Sequence, residues 1–426
     1  MVGRVKLTVV LLSALVVIYG LVGGSMKRVS ARETGVYTDL GVFVEVLNKV
    51  TEDYVEKPDL QRALTGALHG MLEALDPYSS FVDRATYEEL TRSAAEATAS
   101  PGLVLSKRYG YVYVVAVVPG SSAEREGLRS GDLVEAIGSR VTTETSLWEA
   151  ERLLWGPPET KIGLRVVRAR RAEPSAVELT RAIPAPQQVN ARILEEGIGF
   201  LRIPDFEQGA EARVLAKLKS LRSSGVQGLL VDVRGAARGV LEEAIGVSGL
   251  FLPKGKKIVT VKGREGEGTV REGEGTVHLS AEDPTMAGVP IVLLINGGTS
   301  GPAEVFASAL RDNDAAFAVG EKTNGQGSLQ EVFSLEDGSA LFISTQLYYR
   351  PSGKPIQDQN LRNSGVAPDV RAPDEDFMTN FFVENAGEDD KGFDEGFYRR
   401  LNEAVQAEQF RSGLQQIRKM VLKKAA

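Results

Sequence analysis

The chain has 426 residues, 42% hydrophobic and 25% charged, which fits two or three globular domains. A net charge of -7 argues against a general nucleic-acid binder, which needs a basic excess or a basic face. With no cysteine there is no thiol nucleophile, thiolate metal site or disulfide, and two histidines, His69 and His278, are too few for a His-rich metal centre. A Ser-His-Asp triad would have to use one of those two.

Arg4 and Lys6 precede an uncharged run from Leu7 to Gly24. As a helix that run reaches about 27 Å, close to a bilayer core, and the leading charges favour a cytoplasmic N-terminus. An uncleaved anchor over residues 1–28 is favoured over a signal peptide cut near Gly23, Gly24 and Ser25, and over a buried core helix. The rest of the chain is then expected on the extracytoplasmic side of a bacterial inner membrane, or exported if the segment is cut.

Apolar positions Leu40, Phe43, Val46, Leu47 and Val50 have helical spacing and predict a helix over Tyr37–Tyr54. A second helix is expected over Leu60–Leu75, ended by Asp76-Pro77, and a third over Arg84–Ala97. These make a helical region over 36–97, with His69 as a packing or surface residue. Strand-like runs at Tyr111–Val118 and Lys161–Val167 flank Pro119-Gly120-Ser121-Ser122, with short helices at Ala123–Gly127 and Ser146–Leu154. From 185 to 372 strands and helices alternate. Strands are expected at Gly197–Ile203, Leu229–Val233, Ile291–Ile295, Ala316–Val319 and Ala340–Tyr349. Helices are expected at Ala210–Leu221, Val240–Leu252 and Pro302–Asp312. This pattern implies a sheet covered by helices. REGEGTV occurs twice in 264–277 and reads as an exposed loop or hairpin extension. An acidic linker, 373–393, leads to a helical tail whose basic end suits a helix C-terminus or an acidic membrane surface.

Several segments together resemble the C-terminal processing peptidases, or tail-specific proteases. They are HGMLEALDPYSSFV (69–82), PGSSAEREGLRSGDLVEAI (119–137), LLVDVRG (229–235), GLFLPKGK (249–256), VGEKTNGQGSLQ (319–330), LEDGSAL (335–341), YYRPSGKPI (348–356) and GVAPDV (365–370). The resemblance spans about residues 40–370. It implies an α+β and α/β multidomain fold with an N-terminal helical region. A PDZ domain of β-sandwich or barrel-like form is inserted at 98–184, and a mixed-sheet protease core with helices follows at 185–372. It also implies cleavage of C-terminal tails by a serine–lysine dyad without metal or cofactor.

The resemblance places the nucleophile three residues before Glu304, at Gly301, and the lysine at Gln326. Glycine offers no side-chain oxygen, and glutamine is not a useful base near neutral pH. Gln330 retains a position that supports the dyad. The turn shaping the oxyanion region falls on Ala236-Ala237-Arg238-Gly239, where Arg238 crowds the substrate backbone or points to solvent. The PDZ carboxylate-binding loop falls on Ser100-Pro101-Gly102-Leu103. Pro101 lacks an N–H, while Gly102 and Leu103 can still donate. Ser300 is the alternative nucleophile, one residue displaced, and Lys322 the nearest lysine in sequence. The plain reading of 300–304 is a helix start capped by Ser300 or Gly301, with Pro302 at the first position.

Three functions follow as expectations. One is a pseudoprotease that binds unstructured C-terminal tails or regulates an active relative. Another is a serine endopeptidase using Ser300. The third is a structural, membrane-tethered interaction protein. A homodimer is compatible with each.

Overall fold

The computed structural model describes residues 33–168, 173–264, 275–373, 377–378 and 395–425. The apolar run at 7–24, most of the REGEGTV repeat and most of the acidic linker lie outside these residues. Among the described residues no helix is long and apolar enough to cross a membrane.

The chain divides into two compact units, one ending at Leu64 and the other starting at Thr65. Helix α1 (Glu33–Asp53) lies in the first. Its predicted stripe is not sequestered: Leu40, Phe43 and Val46 are all exposed. The helix forms as the spacing predicts, but the burial the spacing implies does not follow. Helix α2 (Leu60–Glu73) begins in the first unit and ends in the second. His69 there lies edge-on to Phe81.

The second unit contains a PDZ-like sheet of order β2-β3-β4-β6-β7. The strands are β2 (Leu103–Arg108), β3 (Tyr111–Val117), β4 (Leu133–Ile137), β6 (Lys161–Val167) and β7 (Ser175–Thr180), and β5 (Arg140–Val141) pairs with β4. Short helix α4 (Ser122–Arg125) and helix α5 (Leu147–Leu154) close its core of Val112, Val114, Ile137, Leu147, Leu164 and Leu179. Ser146 caps α5 through the Glu149 amide at 3.1 Å, and Glu149 returns a bond to the Ser146 amide at 2.7 Å. Helix α3 (Arg84–Arg92) precedes this sheet in the chain.

The core has two sheets where the sequence suggested one. The first runs β17-β14-β13-β10-β9-β8. Its members β9 (Ile198–Arg202), β10 (Gly228–Asp232), β13 (Ile291–Ile295), β14 (Phe317–Gly320) and β17 (Val370–Arg371) are parallel. Strand β8 (Asn190–Ile193) is antiparallel at the edge. Every residue of β10 and β13 is buried, because both faces of this sheet are covered. Helices α6 (Ala210–Ser223), α7 (Leu241–Gly249) and α8 (Pro302–Asp312) cover one face. The C-terminal helix α9 (Glu395–Ala425) covers the other, setting Phe410, Leu414 and Ile417 against Leu230, Val292 and Leu294. The second sheet runs β1-β16-β11-β12, from β1 (Ser80–Val82), β16 (Ala340–Tyr349), β11 (Lys257–Gly263) and β12 (Thr276–Leu279), with β15 (Ser328–Ser334) on β16. Strand β11 ends just before the repeat, β12 takes up its last two residues, and the two pair antiparallel.

The PDZ-like unit is tied to the core at several places among the described residues, two of which carry arginines. Tyr398 of α9 lies under the guanidinium groups of Arg129 and Arg168, at 5.7 and 5.9 Å from its ring centre. Arg108 and Tyr113, on β2 and β3, both bond Asn324. Loops leaving the carboxyl ends of β10, β13 and β14 gather at this second junction, the position where open parallel sheets hold their sites.

Candidate functional site

Glu304 organises the site. It lies in the first turn of α8 and is fully buried. Its carboxyl accepts from the amides of Gly301 (3.0 Å), Gly325 (2.6 Å) and Gln326 (2.8 Å) and from the Thr323 hydroxyl. Burial nevertheless outweighs these bonds and pushes its pKa up to about 7. One side chain therefore clamps the loop 323–326 onto the start of a helix.

Gly301, not Ser300, is the helix cap. Its backbone sits at φ +57°, ψ -119°, a conformation that costs a residue with a Cβ about 1–3 kcal/mol. A Cβ there would lie 3.8 Å from Oε1 of Gln326, an ordinary contact, so Gly301 and Gln326 are neighbours in the site. Pro302 occupies the first helical position. It has no N–H, so the helix start offers no amide donor from the residue after Gly301.

Ser300 is fully buried. Its hydroxyl donates to Oε1 of Gln326 at 3.1 Å and accepts from Nδ2 of Asn324 at 3.0 Å. Both partners are carboxamides, and neither takes a proton near neutral pH. Lys322 directs its ammonium to the Arg362 carbonyl. Burial, and next the charge of Arg108, hold its pKa below the ordinary lysine value.

Arg238 takes neither of the two courses expected of it in full. Its guanidinium pairs with Glu207, and its side chain is one-quarter exposed. Gly239 follows at φ +132°, where a Cβ would fall 2.1 Å from the Phe206 carbonyl oxygen, so only glycine fits. Gln330 is not idle: its amide donates to Ser328 (2.7 Å) and Ser344 (3.1 Å), joining β15 to β16.

A cleft of about 260 Å³ brings four of the sequence-selected residues together: Gly102 and Leu103 from the PDZ-like unit, Arg238 and Gln326 from the core. Leu154 and Trp155, at the end of α5, form its apolar wall. Sequence reasoning missed the residues that build this junction. Asn324 accepts from the Tyr113 hydroxyl at 2.6 Å and, through its carbonyl, from Arg108 at 3.0 Å, while its side-chain amide holds Ser300. Tyr113 and Asn324 are 211 positions apart, and no local pattern pairs them. Among the described residues no group of three or more acidic or histidine side chains is placed to hold a metal.

Residues 197–372 match peptidase family S41, and residues 113–168 match the PDZ domain. A carboxy-terminal-processing protease of Bartonella bacilliformis is 30% identical over 342 residues, covering 79% of this chain and 76% of that protein. The chain belongs to this family of carboxy-terminal-processing proteases. The carboxy-terminal processing protease CtpA of Bacillus subtilis is 28% identical, covering 76% of this chain and 68% of that protein. The photosystem II D1 C-terminal processing protease shares the fold, with a TM-score of 0.61 and 24% identity over 77% of this chain and 92% of that one. Family membership thus accounts for the helical N-terminus, the PDZ domain and the mixed α/β core.

Proposed function

We propose that this member of the S41 family binds protein C-termini without cleaving them, as a pseudoprotease. Supporting this is the constellation where the dyad would stand. Gly301 carries no nucleophile, Gln326 carries no base, and the adjacent Ser300 hydroxyl is buried and bonded to two carboxamides. Pro302 removes an amide that could stabilise an oxyanion. The PDZ domain remains folded beside the site, and its β2 is an edge strand able to take up an extended peptide. The protein then serves as a tail-binding scaffold or as a regulator of an active relative. Anchoring through residues 7–24 on the extracytoplasmic face belongs to the same proposal and rests on the apolar run and its leading charges.

The test is equilibrium binding of a labelled peptide with a free apolar C-terminus to the full-length chain in mild detergent. The expected result is saturable, micromolar binding, with all peptide recovered at its starting mass after overnight incubation. Absence of binding would favour a purely structural role, and recovery of shortened peptide would favour Ser300 as a nucleophile.

A further inference from the structure

The cleft between the PDZ domain and the core contains one cation among the described residues, and it comes from the core. Arg238 stands in the turn where the family resemblance places the oxyanion region. It lines a cleft shared with Gly102, Leu103, Leu154 and Trp155. Among the described residues it pairs with Glu207, and both side chains are partly exposed, 25% for Arg238 and 37% for Glu207. Such a pair exchanges partners at small cost.

The backbone opposite is arranged to donate. The Val118 amide donates to the Gly102 carbonyl at 2.8 Å, and Leu103 lies across from Val117. Leu103 is therefore a non-hydrogen-bonded partner in that ladder, and its own N–H points away from β3 toward the open edge of β2. Pro101 contributes no N–H, and the Ala123 amide bonds its carbonyl at 3.1 Å. The loop thus has fewer donors for an anion than a run of three amides. Glu151 also lines the cleft, and burial pushes its pKa up to about 7. A carboxylate entering here needs a facing cation, and Arg238 is the cation present.

We infer that Arg238 reads the terminal carboxylate of a bound protein tail, together with the N–H of Leu103. Trp155 and Leu154 pack on the last side chain. A cleft of about 260 Å³ admits a small apolar terminal residue and the one before it. The oxyanion turn then acts as a carboxylate anchor, and the core completes a PDZ pocket that Pro101 leaves short of donors. The inference rests on the tail-binding reading and deepens it.

The test uses the full-length chain and a labelled hexapeptide ending in Val-Ala, as free acid and as C-terminal amide. The wild-type chain is expected to bind the acid about tenfold or more tightly than the amide, as a charge-assisted bond implies. In Arg238→Gln that preference falls to near unity. In Glu207→Gln, which frees the guanidinium, the acid binds more tightly than to wild type. Circular dichroism of both variants shows that the fold is kept. Arg238→Gln retaining the full preference would overturn the inference and leave tail binding standing, as would equal wild-type affinity for acid and amide. No binding of either peptide by wild type would overturn both.

Discussion

Giving the site back a serine and a lysine is expected to leave cleavage at background until an amide donor is restored with them. In the Gly301→Ser/Gln326→Lys variant the new hydroxyl and amine stand where Gly301 and Gln326 are now neighbours. An acyl-transfer transition state also needs donors aimed at its oxyanion, and one such donor is worth about 10²–10³ in rate. Pro302 withholds the N–H at the helix start. The triple variant carrying Pro302→Ala as well is therefore expected to cut an unfolded, apolar-tailed protein about a hundredfold faster than the double variant. It is also expected to be less stable than wild type by about 1–3 kcal/mol, because the introduced serine would have to hold the positive-φ conformation that Gly301 adopts freely. Tail loss followed by mass spectrometry checks the rates. Equal rates for double and triple variants would place the donor elsewhere.

The largest stability effect is expected at Glu304. Truncation in Glu304→Ala strands the amides of Gly301, Gly325 and Gln326 and the Thr323 hydroxyl in a buried space. Each stranded group costs about 1–3 kcal/mol, and because they share one site the total is expected near 3–5 kcal/mol. Against a typical stability of about 5–15 kcal/mol, that is a large fraction. The carboxyl also confers a pH dependence. Its pKa is pushed up by burial to about 7 in the folded chain from an ordinary 4.5, so the folded state keeps a proton that the unfolded state has released. The proton-linked stabilisation is complete below about 4.5, declines as pH rises, and is gone above about 7. Asp132, Asp205 and Glu321 are shifted upward as well, so wild type alone does not isolate the effect. Denaturant midpoints of wild type and Glu304→Gln between pH 5 and 8 do. The advantage of wild type over the variant should shrink with rising pH, and a constant gap would refute the assignment.

Much of the fold was legible because several segments carry unmixed signals. Ile291–Ile295 is uniformly apolar and is a strand buried on both faces. Pro302–Asp312 begins with proline and an acidic first turn and is a helix over that span. Strands β2, β11 and β15 escaped notice: Leu103–Arg108 ends in Lys and Arg, Lys257–Gly263 mixes Lys and Gly with its apolar residues, and Ser328–Ser334 is largely exposed. At the site, the motif order placed Gly301, Gln326 and Arg238 in the chain but said nothing of their partners. Glu207 on Arg238, and Asn324 between Tyr113 and Ser300, are tertiary contacts between distant loops. Periodicity and spacing register only neighbours along a strand or helix. The stripe on α1 shows the converse: spacing forecast the helix but not what would cover it.

A chain that holds tails without cutting them leaves a tailed protein intact. The most direct measurement is the intact mass of an unfolded protein with an apolar C-terminal tail, followed over a day with the full-length chain and, alongside, with Ser300→Ala. An unchanged mass is expected in both. Loss of tail residues with wild type that vanishes in Ser300→Ala would contradict it and make Ser300 the nucleophile.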